Sequence, residues 1–385
     1  SNDHVYAQLP IGSDYAVTCD STVAQVTGLE DQQLVTLSVP HDQALTRTLA
    51  ESIKEDAIVR WRGRAQDAAE TMLEAGVIEA GGFEMPIKMR VDGDVRAGKP
   101  LYISMHGGGG APAEVNDRQW ANQLKLYPNI EDGYYIAPRA PTNTWNLWHQ
   151  AHIDELFDVL ITTMVLAKDV DPDRIYLTGY SAGGDGTYQL APRMADRFAA
   201  AGAMAGHPNE TVPDGLRNLP FALHMGGQDG AYDRNKVARD WKKKLASLQQ
   251  SDPKGYDHQV EIHESCGHWM ENNERPAMQW MADKRRELRP ERIVWVQDDV
   301  IHDRFYWLKV DEPVARDRKV IQREGQTVTL VEPGEAGLLH LRLDDSMLDL
   351  NQPVVVRLAD GRLLHSGFVP RQRRVIEQTL AERGD

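Results

Sequence analysis

From about residue 100 to residue 290 the chain alternates short apolar runs with stretches of helical periodicity, and no other feature restricts its fold as much. Leu101–Met105 is a short, mainly apolar run that ends in His106 and four glycines; 134–138 is a second run of the same kind. Further runs follow at 174–178, 200–205 and 221–225, and an alternating one at 258–262. Helical patterns at 153–168, 182–194, 234–248 and 275–287 lie between or after them. Strands without a polar face belong to parallel sheets covered on both sides. Strand–helix alternation supplies the crossover units that build such sheets. The expectation is an α/β fold with a doubly wound, mostly parallel sheet. Hydrophobic residues make up 41% of the chain and charged residues 26%, the balance of a globular protein.

The flanks read differently. Residues 1–40 are mixed, with a short alternating stretch at 34–39, and 41–75 turn helical. Leu45, Leu49, Ile53 and Ala57 recur there at three-to-four-residue spacing, with Asp42 available as a cap. Strand-like segments at 76–79 and 83–91 precede the turn Asp92-Gly93-Asp94. Beyond Arg289-Pro290 short strands are expected at 293–296, 305–310, 327–331, 338–343 and 354–358. Asp360-Gly361 is a hairpin signal, and a helix over 371–383 closes the chain. The expected organisation is a helical N-terminal extension (1–75) packed on the core, an α/β domain (76–289), and a small β-rich domain with a terminal helix (290–385).

Acyl transfer needs a nucleophile, a base, a group that orients the base, and donors for a developing oxyanion. Ser181 lies in Gly179-Tyr180-Ser181-Ala182-Gly183, between an apolar strand and a helix. A G-x-S-x-G segment in that context holds a serine on a strained turn with its hydroxyl exposed; without it the pattern is common turn chemistry. In His106-Gly107-Gly108-Gly109-Gly110 the bare backbone can approach a carbonyl oxygen, with Gly108 or Gly109 as donor and the N–H of Ala182 as the other. The run lacks the Lys-Ser/Thr ending of a phosphate loop. Among thirteen histidines position selects His268, on the loop after 258–262, with His263 the runner-up. Asp229 follows the run 221–225 and is the candidate acid; Asp233 competes but reads as the cap of helix 234–248, and Asp185 comes too early in the chain. His106, Trp145, Trp148, Tyr180 and His207 are candidate pocket residues, with Asn209 and His149 nearby. For the two tryptophans a hydrophobic loop plug and substrate stacking are equally good readings. His149, His152, Asp154 and Glu155 fit no zinc spacing, and a solvated helix start explains them. No metal or cofactor is expected.

Residues 174–184 and the following Met194-Ala195-Asp196-Arg197-Phe198-Ala199-Ala200 resemble the polyhydroxybutyrate depolymerase and feruloyl esterase-like branch of the α/β hydrolases. The resemblance covers about 100–290. It implies an α/β-hydrolase fold, Ser181, Asp229 and His268 as the triad, and a carboxylic ester, small or polymeric, as substrate. Some members of that branch carry a large lid, and no insertion here is long enough for one. A carboxylesterase is the leading expectation; a serine peptidase of the same fold, a polyester depolymerase and a non-catalytic binding protein are the alternatives. Trp295, Phe305, Tyr306 and Trp307 give the C-terminal region an aromatic-rich face, suited to packing or to a polymer or carbohydrate.

Charge and cysteine usage narrow the partners. Lys and Arg number 43 against 58 Asp and Glu, a net −15, which repels phosphate backbones and anionic lipid heads. No run of about 18 apolar residues is present, so no membrane span is expected. Cys19 and Cys266 lack zinc-site spacing and leave open one disulfide between them. The start, Ser1-Asn2-Asp3-His4, has neither a basic lead nor an apolar stretch and reads as a mature or trimmed end. The compartment, secreted, periplasmic or cytoplasmic, stays open, as does the oligomeric state.

Overall fold

The computed structural model describes residues 45–335 and 338–384, and the backbone of four short N-terminal strands. His4–Ala7 pairs antiparallel with Val35–Ser38, and Tyr15–Cys19 forms a ribbon with Thr22–Val26. Asp42 and the side chain of Cys19 lie outside the described residues; Cys266 is buried. Where the sequence reads as three segments, the chain groups into two compact units. One is Ala65–Glu287, and the other joins Ser1–Arg64 to Leu288–Asp385.

The unit Ala65–Glu287 is built on an eight-stranded sheet. Its strands are β1 (Val77–Ala80), β2 (Phe83–Asp92), β3 (Leu101–Met105), β4 (Gly133–Pro138), β5 (Ile175–Tyr180), β6 (Ala200–Met204), β7 (Phe221–Gly226) and β8 (His258–His263). Their spatial order is β1-β2-β4-β3-β5-β6-β7-β8. The pairs β1–β2 and β2–β4 are antiparallel and the remaining pairs parallel. Every residue of β3 through β7 is buried, as their two-sided apolar character requires, whereas edge strand β8 keeps an exposed position. Helices α1 (Arg47–Ala75), α2 (Ala113–Gln123), α3 (Ala151–Lys168), α4 (Ala182–Arg193), α5 (Arg234–Ser251) and α6 (Pro276–Ala282) precede or connect the strands. Helix α2 was not expected. It buries only Asn116 and Gln123, so it carries no apolar stripe for periodicity to detect. Helix α6 stops at Ala282, short of the expected 287: further on, the Arg286 N–H bonds the Asp173 carbonyl, and its side chain bonds the Asp173 carboxylate and the Asp196 carbonyl.

The other unit contains β9 (Arg292–Val296), β10 (Arg304–Phe305), β11 (Leu308–Val310), β12 (Arg318–Glu324), β13 (Thr327–Glu332), β14 (Leu339–Leu341), β15 (Val354–Leu358), β16 (Leu363–Gly367) and α7 (Arg373–Arg383). They form a five-stranded sheet, β9-β12-β13-β15-β16, and a three-stranded one, β10-β11-β14. The single strand expected over 305–310 breaks at Tyr306, whose φ of 52° turns the chain into a tight hairpin. Trp295, Phe305, Tyr306 and Trp307 are buried. Phe305 stacks on Trp295 at 5.6 Å and meets Tyr306 edge-on at 4.9 Å, and the Trp307 indole N–H bonds the Pro290 carbonyl. The aromatic-rich stretch is therefore core and not an exposed face for a polymer or carbohydrate. Ala50, Ile53 and Ala57 of α1 pack with Ile376 and Leu380 of α7. Glu382 accepts two bonds from Arg342, at 2.6 and 2.8 Å, and one from Lys309 at 2.9 Å. Burial pushes its carboxyl pKa up, but these cations outweigh burial and hold it down to about 2.

Candidate active site

Strand β5 runs into α4 through Ser181, which adopts φ 58°, ψ −121°. A non-glycine residue held in a sparsely populated region costs on the order of 1–3 kcal/mol, supplied by its surroundings. The Ser181 N–H bonds the Met204 carbonyl at 2.9 Å, and the turn is closed by backbone-to-backbone packing. A Cβ on Gly179 would lie 2.1 Å from the Gly183 oxygen, and one on Gly183 would lie 2.1 Å from the Met105 oxygen. Both glycines of the motif are thus demanded by space. Gly184 and Gly206 leave no room between them, and a Cβ on Gly186 would meet the Trp148 side chain at 2.4 Å.

Three loops converge on Ser181. Its Oγ is 2.9 Å from His268 Nε2, and His268 Nδ1 is 2.6 Å from Asp229 Oδ2. The Asp229 side chain is 2% exposed and the His268 side chain 44%. The loops after β7 and β8 are locked together: the Gln228 N–H bonds the Cys266 carbonyl, and a Cβ on Gly226 would sit 1.9 Å from the Gly267 oxygen. The Tyr180 hydroxyl donates to the His268 carbonyl at 2.8 Å and accepts from the Met270 N–H at 2.9 Å. The residue before the serine therefore holds the histidine loop from below. Tyr180 is a brace, not the pocket wall expected for it, because its ring is buried and its hydroxyl is fully used.

The glycine run approaches from β3. A Cβ on Gly107 would be 3.2 Å from Ser181 Cβ, so this backbone lies directly beside the serine. Gly108 and Gly109 have φ of 115° and 108°, which side chains rarely tolerate. The Gly108 N–H has no protein partner among the described residues. The Gly109 N–H donates to Asn116 Oδ1 at 3.0 Å, which removes it as an oxyanion donor and corrects that expectation. Asn116, fully buried on α2, also donates to the Gly109 carbonyl (3.1 Å) and to Asn143 Oδ1 (2.9 Å), so it clamps the loop. His106 is fully buried as well. Its Nδ1 meets the Gly107 carbonyl at 2.6 Å, and its Nε2 accepts the Ala140 N–H at 3.1 Å. Burial lowers its pKa to about 4, so the ring is neutral with its proton on Nδ1. The Trp148 indole N–H donates to the His106 carbonyl at 2.9 Å, from a side chain with no exposed surface. Neither His106 nor Trp148, both candidate pocket residues, lines a pocket: Trp148 takes the loop-plug alternative, and both fix the glycine loop.

Residues 115–292 match the Dienelactone hydrolase family. Feruloyl esterase B of Neurospora crassa is 30% identical over 156 residues, 33% of this chain and 51% of that protein. NocK of Nocardia uniformis subsp. tsuyamanensis is 29% identical over 131 residues, 31% of this chain and 37% of that protein. The chain thus spans between about a third and half the length of these curated relatives. A thermostable esterase of known structure, 20% identical, aligns at a TM-score of 0.44 over 55% of this chain and 62% of its own. The sheet order, the elbow after β5 and the family match agree. Residues 65–287 have the α/β-hydrolase fold.

On the carboxyl edge of the hydrolase sheet, where ligands bind in open α/β folds, two tryptophans are largely exposed. Trp145, 66% exposed, stands beside Gly109 and Gly110, and Trp269, 51% exposed, follows His268. Trp269 directly follows the candidate base, yet nothing in the sequence separates it from an ordinary loop aromatic. His207 is partly exposed on the same edge; its N–H bonds Asp185 Oδ1 at 2.6 Å, and its Nδ1 accepts the Asn209 N–H at 2.9 Å. Asp185, one helical turn past Ser181, has its carboxyl raised to about 6, chiefly by burial and against the pull of the His207 N–H, Arg234 and His268. The runner-up histidine, His263, faces His224 at 3.1 Å. Asp233 occupies the cap position of α5 but makes no capping bond, its carboxylate being taken by Lys236 at 2.6 Å. The four polar residues at the start of α3 disperse. His152 stacks on Phe83 at 3.8 Å, and Asp154 is buried in an ion pair with Arg193 at 2.5 Å, so that start is not wholly solvated as expected. No helix among the described residues is long and apolar enough to cross a membrane.

Proposed function

We propose that the hydrolase domain cleaves carboxylic esters, with Ser181 as nucleophile, through an acyl-enzyme. The observation that carries this reading is the continuous hydrogen-bonded chain Ser181–His268–Asp229 on the elbow after β5. Asp229, buried and acceptor-only, fixes the His268 proton on Nδ1 and leaves the Nε2 lone pair facing the serine hydroxyl. As Ser181 Oγ attacks the ester carbonyl carbon, Nε2 takes the hydroxyl proton, and Asp229 stabilises the imidazolium. The N–H groups of Gly108 and Ala182 receive the negative oxygen. Donors of this kind are worth on the order of 10²–10³ in rate each. Collapse of the tetrahedral adduct expels the alcohol, which takes the proton back from Nε2. A water then repeats the sequence on the acyl-serine and releases the acid. An alcohol leaves more readily than an amine, which favours esters over peptides. The exposed rings of Trp145, beside Gly109 and Gly110, and of Trp269, against Tyr180, offer apolar contact to a substrate.

Labelling by a fluorophosphonate probe and turnover of p-nitrophenyl esters test the proposal together. Ser181→Ala abolishes labelling. His268→Ala lowers turnover by about four or more orders of magnitude, as loss of a triad member does elsewhere, while His263→Ala leaves it nearly intact. Labelling that survives Ser181→Ala, or a larger loss for His263→Ala than for His268→Ala, refutes the assignment. Faster cleavage of aminoacyl-nitroanilides than of esters refutes the substrate class.

A further inference from the structure

Strands β7 and β8 pair in parallel register with His224 opposite Glu261 and Gly226 opposite His263. Positions 261 and 263, two apart on one strand, share a face of the sheet, and His224 shares it from the neighbouring strand. One ligand atom from each of the three side chains lies within 4.8 Å of the other two. His224 Nδ1 and His263 Nε2 are 3.1 Å apart, near the ~3.3 Å between two nitrogens bound at about 2.0–2.1 Å to a tetrahedral zinc ion. We propose that His224, Glu261 and His263 form a site for a divalent transition metal of the zinc class, outside the hydrolytic chain. Two imidazoles and one carboxylate are the donor set such ions select over magnesium or calcium, which prefer all-oxygen cages.

Three features make this a site and not a chance meeting of side chains. His224 is fully buried, so its ring is held by packing. Two neutral imidazoles that face each other across 3.1 Å share one proton in the metal-free pair, and a metal ion could take both lone pairs in its place. Gln259 donates to Glu261 Oε1 at 3.2 Å, the outer-shell bond that orients a ligating carboxylate. Exposed Glu261 and half-buried His263 leave an entry path and room for water as a fourth ligand. The whole of α5 separates His224 from Glu261 and His263 in the chain, so no linear spacing motif records the three together. The ion would join β7 to β8 just before the loops that carry Asp229 and His268. The His263 carbonyl already receives the N–H groups of Gly227 and Cys266, one from each of those loops.

Zinc chloride and cobalt chloride, titrated into the metal-free full chain, test the site by calorimetry, visible spectroscopy and thermal melts. The expected result is one equivalent bound, the intense visible bands of four-coordinate cobalt, and a Tm that climbs with the logarithm of metal concentration. His263→Gln and Glu261→Gln, both at solvent-accessible positions, weaken binding at least tenfold while the circular dichroism spectrum is unchanged, and Cys266→Ser binds as the parent does. A parent chain that binds zinc no more tightly than His263→Gln overturns the proposal. So does a cobalt spectrum that Cys266→Ser removes.

Discussion

Asp185 sits one turn along α4 from Ser181, and its N–H caps the Ser181 carbonyl at 2.9 Å. Its pKa of about 6 in the fold, against 3.8 for a free side chain, means the folded protein holds this proton more tightly than the unfolded chain. The stability this contributes is complete below about pH 3.8 and is lost as pH rises through 6. Asp185→Asn keeps an oxygen for the His207 N–H and removes the charge. Its Tm is expected to exceed the parent's at neutral pH, with the gap closing as pH falls towards 4; melts across that range check it, and a gap independent of pH rules it out. The same scale shows what single residues disclosed. The placing of Ser181, Asp229 and His268 together was legible because each stands in a short glycine-bearing loop just after a strand. The burial of Asp185, His106 and Trp148 was not, because burial is decided by elements distant in the chain.

The glycine loop after β3 depends on an element the sequence hid. Asn116 belongs to α2, which has no apolar face, and it satisfies both the N–H and the carbonyl of Gly109. Asn116→Ala leaves those buried groups unpaired, at a cost of about 1–3 kcal/mol each. It also frees the backbone that positions the Gly108 N–H. Esterase turnover is expected to fall roughly tenfold to hundredfold with the KM less affected, the pattern of a lost transition-state contact, alongside a lower Tm. Steady-state kinetics decide between this and a purely structural role, which would lower Tm and leave kcat unchanged. Elements with two-sided apolar strands were read correctly from periodicity. Those flanked by charge, such as β12 (RKVIQRE), or built on polar anchors, such as α2, gave periodicity nothing to register.

At the scale of the whole molecule the chain ends form one compact unit while the hydrolase domain is continuous between them. Helix α1 supplies residues to both units, its N-terminal part carrying Ala50, Ile53 and Ala57 against Ile376 and Leu380. A chain truncated after Glu287 loses the partners of that stripe and also the clamp of Glu382 on Arg342 and Lys309. It is expected to aggregate, whereas a chain limited to 65–287 sheds the stripe as well and is expected to stay monodisperse. Light scattering on the two truncations checks this, and a soluble, monodisperse chain ending at Glu287 contradicts it.

Gly179, Gly183, Gly184 and Gly206 are fixed by the absence of room for a Cβ and owe nothing to bond cleavage. Drift in a lineage that abandoned hydrolysis would therefore erase the serine long before the glycines around it. A descendant reading Gly-x-Ala-x-Gly at this turn would be a folded relic, and its glycines would testify to ancestry and not to activity.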